Sequence, residues 1–204
     1  MKTHIYCTSS LLILAGALLC GSARAEDKPA SAPPEPSMEE MMKKMEAAGT
    51  PGAAHKALDP LVGEWDAEVK LWMTPDAPPS ITKATAKSRW VMKGRFVQEE
   101  FDGEFMGKPF HGMSLTGFDN TKQKYTTVWV DDTSTAMVTS EGEAKDGGKV
   151  VTFEGRHDCP MTDEKNVPMK QVVRIVSPNK HIFEMHDPRR GENSKTMEIT
   201  YTRK

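Results

Sequence analysis

The chain has 204 residues, with 27 Lys and Arg against 29 Asp and Glu and a formal net charge of −2. No basic stripe accompanies that balance, which excludes the nucleic-acid partners that phosphate neutralisation would require. Even without its first residues the chain is long enough to build one ordinary domain around its own core.

Residues 1–25 read as a secretory signal: Lys2 is the positive start, Leu11–Leu19 the apolar segment, and Ala23-Arg24-Ala25 the small-residue cleavage site. The apolar run falls well short of the roughly 20 residues a spanning helix needs, so a retained anchor is the weaker alternative. A lipoprotein reading at Cys20 is weaker again, because Leu19 stands where a small residue is wanted. Cleavage after Ala25 removes Lys2 and Arg24 and no acid, taking the net charge from −2 to about −4. The expected location is the bacterial periplasm, with no membrane span in the mature chain. Cys7 and Cys20 leave with the leader, so Cys159 has no internal disulfide partner. It is either a buried or loop thiol or an intermolecular handle.

Residues 26–36 are rich in Pro and Ala without apolar period and read as a disordered linker. Residues 37–57 read as short amphipathic helices. Ser37-Met38-Glu39-Glu40 fits a capping box, and Met38, Met41, Met42 and Met45 fall on one helical stripe that closes near Gly49. Thr50-Pro51 is expected to start a second helix through His55.

From Glu64 the hydrophobic period changes to two. Trp65, Ala67, Val69 and Leu71 alternate with charged residues; Ala84, Ala86 and Trp90 share a face of the next run; Val97, Phe101 and Phe105 share a face of the third. Further strands are expected at 110–118, 124–130, 136–140, 150–155, 169–176, 181–185 and 195–202, separated by Gly, Asn, Asp and Pro turns. About ten strands without intervening helical period argue for an up-and-down antiparallel barrel or a sandwich over residues 58–204.

Two phrases favour the barrel. Leu61-Val62-Gly63-Glu64-Trp65 enters the first strand as Gly-x-Trp, and the last strand ends Thr200-Tyr201-Thr202-Arg203. This resembles the calycin superfamily of lipocalins and fatty-acid-binding proteins, where such a Trp packs beneath a late Arg. The resemblance implies that Gly63, Trp65 and Arg203 close the barrel end. Further phrases, at Arg95–Glu100, Gly103–Gly107, Leu115–Asn120 and Met197–Lys204, are similar to the bacterial family named domain of unknown function 1579. That resemblance implies a calycin-like barrel and no particular activity.

Glu99 shares strand parity with Val97, Phe101 and Phe105, which points a carboxylate into the barrel. There it must be paired, hydrated or neutral. It is either a ligand anchor or a structural partner, with Arg174 or Tyr125 as the expected mate. A small, partly apolar ligand would be lined by Trp90, Val97, Glu99, Phe101, Phe105 and Trp129, with the 37–48 helix near the opening. A filled barrel that docks proteins through the methionine stripe or an exposed Trp72 is the alternative. His157, Cys159 and Met161 mix ligands that suit copper, but helix and loop methionines more often fill apolar grooves. His111, His181 and His186 raise a haem reading by resemblance, although no spacing marks an axial ligand. No Gly-x-Ser-x-Gly, His-Glu-x-x-His or phosphate-loop motif occurs, so a binding role ranks above an enzyme and no cofactor is assigned.

Overall fold

A computed structural model describes residues 36–74 and 77–204. The expected signal peptide and all of the expected linker but Pro36 lie outside the described residues. Ten strands form a closed antiparallel barrel in which each strand pairs with its neighbours in sequence and the last returns to the first. In chain order they are β1 Gly63–Leu71, β2 Ser80–Val91, β3 Phe96–Phe105, β4 Lys108–Asp119, β5 Lys124–Asp131, β6 Val138–Lys145, β7 Val150–His157, β8 Val167–Ser177, β9 Lys180–His186 and β10 Lys195–Arg203. Closure leaves no unpaired edge, which suits a chain that alternates apolar and polar residues throughout. The expected sixth strand is displaced: Ala136 and Met137 belong to an exposed connection and pairing continues to Lys145.

The register places the predicted faces inside. Trp65 lies opposite Arg203 and Ala86; Phe101 lies opposite Ala86 and Gly112; Tyr125 lies opposite Phe118 and Gly142. Two apolar clusters result. One centres on Trp65, Phe101, Ile199 and Tyr201, the other on Leu58, Val97, Tyr125, Val151 and Phe153. The two strands whose facing the polar residues obscured resolve with Tyr125, Thr127 and Trp129 inward on β5 and Met169, Gln171 and Val173 inward on β8.

Helix α1 (Met38–Gly49) carries the expected capping box, with Glu40 N–H donating to Ser37 Oγ at 3.2 Å and Ser37 N–H to the Glu40 carboxylate at 2.8 Å. Helix α2 spans Ala53–Lys56 and does not begin at Pro51. Gly52 is extended, and its N–H donates to the buried His55 Nδ1 at 3.0 Å, so this imidazole anchors the helix start. A 3-10 turn at Asp59–Leu61 then leads into β1. Three side chains tie this segment to one barrel end. Tyr125 Oη donates to Ala54 O at 3.0 Å, Trp90 Nε1 to Asp59 Oδ1 at 2.9 Å, and Asn120 Nδ2 to Thr50 O at 2.8 Å. Trp72 is half-buried, with its backbone N–H donating to Thr196 O, and is not the exposed indole expected.

Candidate functional site

A cavity of about 390 Å³ runs along the barrel axis. That volume lies at the lower end of the ~300–1,000 Å³ typical of small-molecule sites. Its floor is Leu58 and Leu61, delivered by the segment that plugs the α2 end. The lining reaches solvent at the opposite end, where Glu104 and Thr133 are exposed. The helical segment therefore seals the closed end and does not border the opening. It precedes β1, and β1 starts at the sealed end.

Of the residues expected to line a ligand site, Val97, Glu99, Phe101, Phe105 and Trp129 all border this cavity. Trp90 does not. It has inward parity, but it sits at the last inward position of β2, where its indole turns to Asp59 beneath the plug. Sequence reasoning missed Phe110, Gln171, His181, Phe183 and Tyr201, which also line the cavity. Tyr201 was legible, since it is two residues before Arg203 on the same face of β10. His181 and His186 are five residues apart on β9, so a period of two puts them on opposite faces.

An aromatic wall lines the cavity. The Phe101 ring meets Phe110, Trp129 and Tyr201 edge-on at centroid separations of 6.3, 6.4 and 6.5 Å, and Phe110 stacks on Trp129 at 6.2 Å. Gly112 makes room for this wall, because a Cβ there would fall on the six-membered ring of Trp129. The Trp129 Nε1 donates to Asp131 Oδ2 at 2.9 Å. Burial works to raise the Asp131 carboxyl, but bonds from Thr133 and Trp129 outweigh it and hold the group below the usual carboxylate range.

Glu99 lies against this wall. Ser88 Oγ donates to its Oε2 at 3.3 Å and Tyr201 Oη to its Oε1 at 3.4 Å. The expected mates are elsewhere: Arg174 is exposed and nearest Glu184, and Tyr125 is bonded to Ala54. Glu99 is enclosed by protein, yet part of its surface faces the lumen and not packed atoms. Burial pushes its carboxyl up to about 7, against the two hydroxyls that favour the anion. Burial also raises the Tyr201 phenol, and the adjacent Glu99 adds to the effect. Two long bonds from neutral hydroxyls leave acceptor capacity on Glu99 for a further donor.

His181 is buried, stacked on Tyr201 at 4.1 Å and edge-on to Trp65 at 4.4 Å, and its Nδ1 has no hydrogen-bond partner among the described residues. Burial, reinforced by the Arg203 charge, lowers its pKa to about 3, so it is neutral at any physiological pH. His186 faces outward beside Ser194 and Glu184, and His111 is exposed on Asp102, whose hydrogen bond raises the imidazole pKa. The three histidines of the haem reading do not converge. The copper set also divides. His157 borders the cavity, while Cys159 sits in the following loop, its thiol pKa lowered chiefly by a bond from Thr162, and Met161 is exposed. Among the described residues no group of three or more His, Cys, Asp or Glu side chains is arranged to hold a metal ion.

At the sealed end Trp65 is wholly buried, its Nε1 donating to Leu61 O at 3.0 Å, and the Arg203 Cζ lies 4.1 Å above the ring. Gly63, at φ +145°, is the third member of this closure, since a Cβ there would fall on Arg203 Nη1.

Among known proteins, no curated protein matches this chain. Rv2717c from M. tuberculosis, a solved crystal structure, is similar at 15% identity over 76% of this chain and 99% of that one, with a TM-score of 0.53. A redesigned β-barrel is similar at 12% identity over 74% of this chain and 96% of that one, with a TM-score of 0.38. At 15% identity the likeness to Rv2717c shows the fold alone. The family described as Protein of unknown function (DUF1579) matches residues 50–203, nearly all of the barrel and its plug, and the chain belongs to that family.

Proposed function

We propose that this protein is an exported, periplasmic barrel that binds a small, partly apolar ligand. The observation that carries the reading is the lumen: about 390 Å³, walled by aromatic rings, plugged at one end and furnished with a single deep carboxyl that has acceptor capacity to spare. A barrel selected only for stability would fill such a volume with side chains, because empty apolar space forfeits dispersion contacts. Export rests on the leader-like pattern of residues 1–25.

Native mass spectrometry of protein gently purified from its own compartment tests both halves. The expected result is a chain beginning at Glu26 that carries an extra mass lost on denaturation. A clean apo mass from every preparation would remove the ligand, and an uncleaved chain in the cytoplasmic fraction would remove the export.

A second reading, an envelope interaction module, is favoured by one feature. Helix α1 buries no residue, and Met38, Met42 and Met45 are 70, 61 and 71% exposed. Pull-down with and without residues 26–50 separates the two, since loss of a partner on deletion supports docking through the helix.

A further inference from the structure

The lumen carries information about the charge of its occupant. Among the described residues its lining holds three carboxyl groups, Glu99 at depth and Asp131 and Glu104 toward the open end, two imidazoles, His157 and His181, and no Lys or Arg. Arg203, at the sealed end, does not line the cavity. It lies over Trp65 and donates to the carbonyls of Val62 at 2.9 Å, Pro178 at 3.0 Å and Pro60 at 3.3 Å. An anionic ligand would therefore bring a second negative charge into a low-dielectric space without a counter-ion, an arrangement that costs several kcal/mol or forces neutralisation.

A cation meets the opposite environment. Glu99 offers a carboxylate whose only hydrogen-bond partners among the described residues are the hydroxyls of Ser88 and Tyr201, both at long distance. It shares the lumen with Phe101, Phe110, Trp129 and Tyr201, of which Tyr201 touches it and Phe101 packs on the other three, the paired ring centroids lying 6.2–6.5 Å apart. A carboxylate beside a cluster of aromatic rings is the chemistry that recognises organic ammonium groups, since the ring quadrupole and the anion attract the same charge. At the entrance, Asp131 is held in place by bonds from Trp129 and Thr133, the last at 2.6 Å between its Oδ1 and Thr133 Oγ1. It adds a negative potential along the path inward.

We infer that the occupant of the barrel is a small organic cation, an ammonium on an apolar body, with its charged head on Glu99 and its body against Phe101, Phe110 and Trp129. This rests on the reading of the barrel as a ligand-binding module and names the class of ligand.

The test is a matched series of probes, phenylpropylamine, phenylpropanol and phenylpropionate, titrated into the mature chain at pH 8 by calorimetry. Quenching of tryptophan emission serves as a second signal. The amine is expected to bind about tenfold more tightly than the alcohol, and the carboxylate at least about tenfold more weakly than the alcohol. Glu99→Gln is expected to bring the amine down to the affinity of the alcohol while leaving the alcohol within about twofold of its original value. The wild-type ranking stands by itself should that variant fold poorly. If the alcohol or the carboxylate binds best, the cationic class is overturned and the binding barrel survives. If none of the three binds and the native mass is that of the bare chain, both readings fall.

Discussion

The Arg203 guanidinium lies over Trp65, its register partner across the antiparallel β1–β10 pair, its Cζ 4.1 Å from the indole centroid, and donates from three nitrogens to the carbonyls of three residues in two segments. One side chain thus joins the last strand to the first, to the plug at Pro60 and Val62, and to the β8–β9 turn at Pro178. A cation over a buried indole contributes ~1–2 kcal/mol, and charge-assisted bonds to carbonyls ~1.5–3 kcal/mol each before the cost of desolvation. Arg203→Met is expected to lower stability by about 2–4 kcal/mol, read as a fall in the urea midpoint without a change in slope. Arg203→Lys should recover less than half, since an ammonium cannot reach three diverging carbonyls and lie flat on the ring. A full rescue by Lys would show that charge alone closes the barrel.

Gly63→Ala tests the same contact from below. The backbone at φ +145° and the position of Arg203 Nη1 both oppose a side chain. A loss of about 2 kcal/mol or more is expected in thermal unfolding, and it should be largely absent when Arg203 is already Met, except for the part due to backbone strain.

Glu99 and His181 set opposed pH dependences. Glu99 loses its proton near 4.5 when unfolded and near 7 when folded, so the folded state holds the extra proton between those values. Its contribution is complete below pH 4.5 and falls as pH rises to 7, by about 3 kcal/mol in all. His181 titrates near 6.5 unfolded and near 3 folded, so its contribution is complete above pH 6.5 and falls as pH drops toward 3. Between pH 4.5 and 6.5 the two slopes have opposite sign and nearly cancel. Together the two groups are therefore expected to add almost no net slope to the wild-type stability across that window. Glu99→Gln should expose the histidine slope, with stability rising with pH, and His181→Phe the glutamate slope, with stability falling. Tyr201 lies between them, but its raised phenol stays protonated throughout. Denaturant midpoints at half-unit pH steps decide it; identical profiles for all three proteins would show that neither group is perturbed in the folded state.

Gly112→Ala is expected to push the Trp129 indole into the lumen, because the new methyl would occupy the space of its six-membered ring. Overpacking of this kind costs about 1–3 kcal/mol. The sharper readout is a drop in binding of any lumen ligand together with a shift of the tryptophan emission. Unchanged emission and affinity would place the indole elsewhere in solution.

Helix α1 buries nothing, whereas His55, Leu58 and Leu61 form the plug. A chain starting at residue 48 should melt within about 2 °C of one starting at residue 26, while a chain starting at residue 58 should lose more than about 2 kcal/mol through the loss of His55 and of the Tyr125–Ala54 bond.

Much of this was written in local pattern. The inward faces of β1, β2 and β3 follow from strict alternation, as does the inward carboxylate of Glu99, because a period of two assigns every second side chain to one face. The closing pair Trp65 and Arg203 came from the Gly-x-Trp resemblance, and the register sets those two residues opposite each other. Strands β5 and β8 were opaque: Tyr125, Thr127 and Trp129 inside face Thr126 and Val128 outside, so polarity does not separate the faces. The partners of Glu99 were equally hidden. Ser88 and Tyr201 are 11 and 102 residues away in sequence, and only closure of β10 onto β1 brings the second of them near.

What the sequence alone determined is therefore periodic and local: about ten alternating strands, the capped first helix and the inward faces of β1, β2 and β3. What only the tertiary structure decided is how those inward residues meet across the barrel. The methionine helix stands clear of the mouth because the plug enters at the end where β1 begins. Trp90 leaves the cavity for Asp59 because it is the last inward residue of its strand. A lumen remains because Gly112, the bond from Trp129 to Asp131 and the long-range bond from Tyr201 to Glu99 hold the large side chains against the wall. Side-chain volume in a closed barrel is a property of the whole ring of strands, and no single stretch of chain contains it.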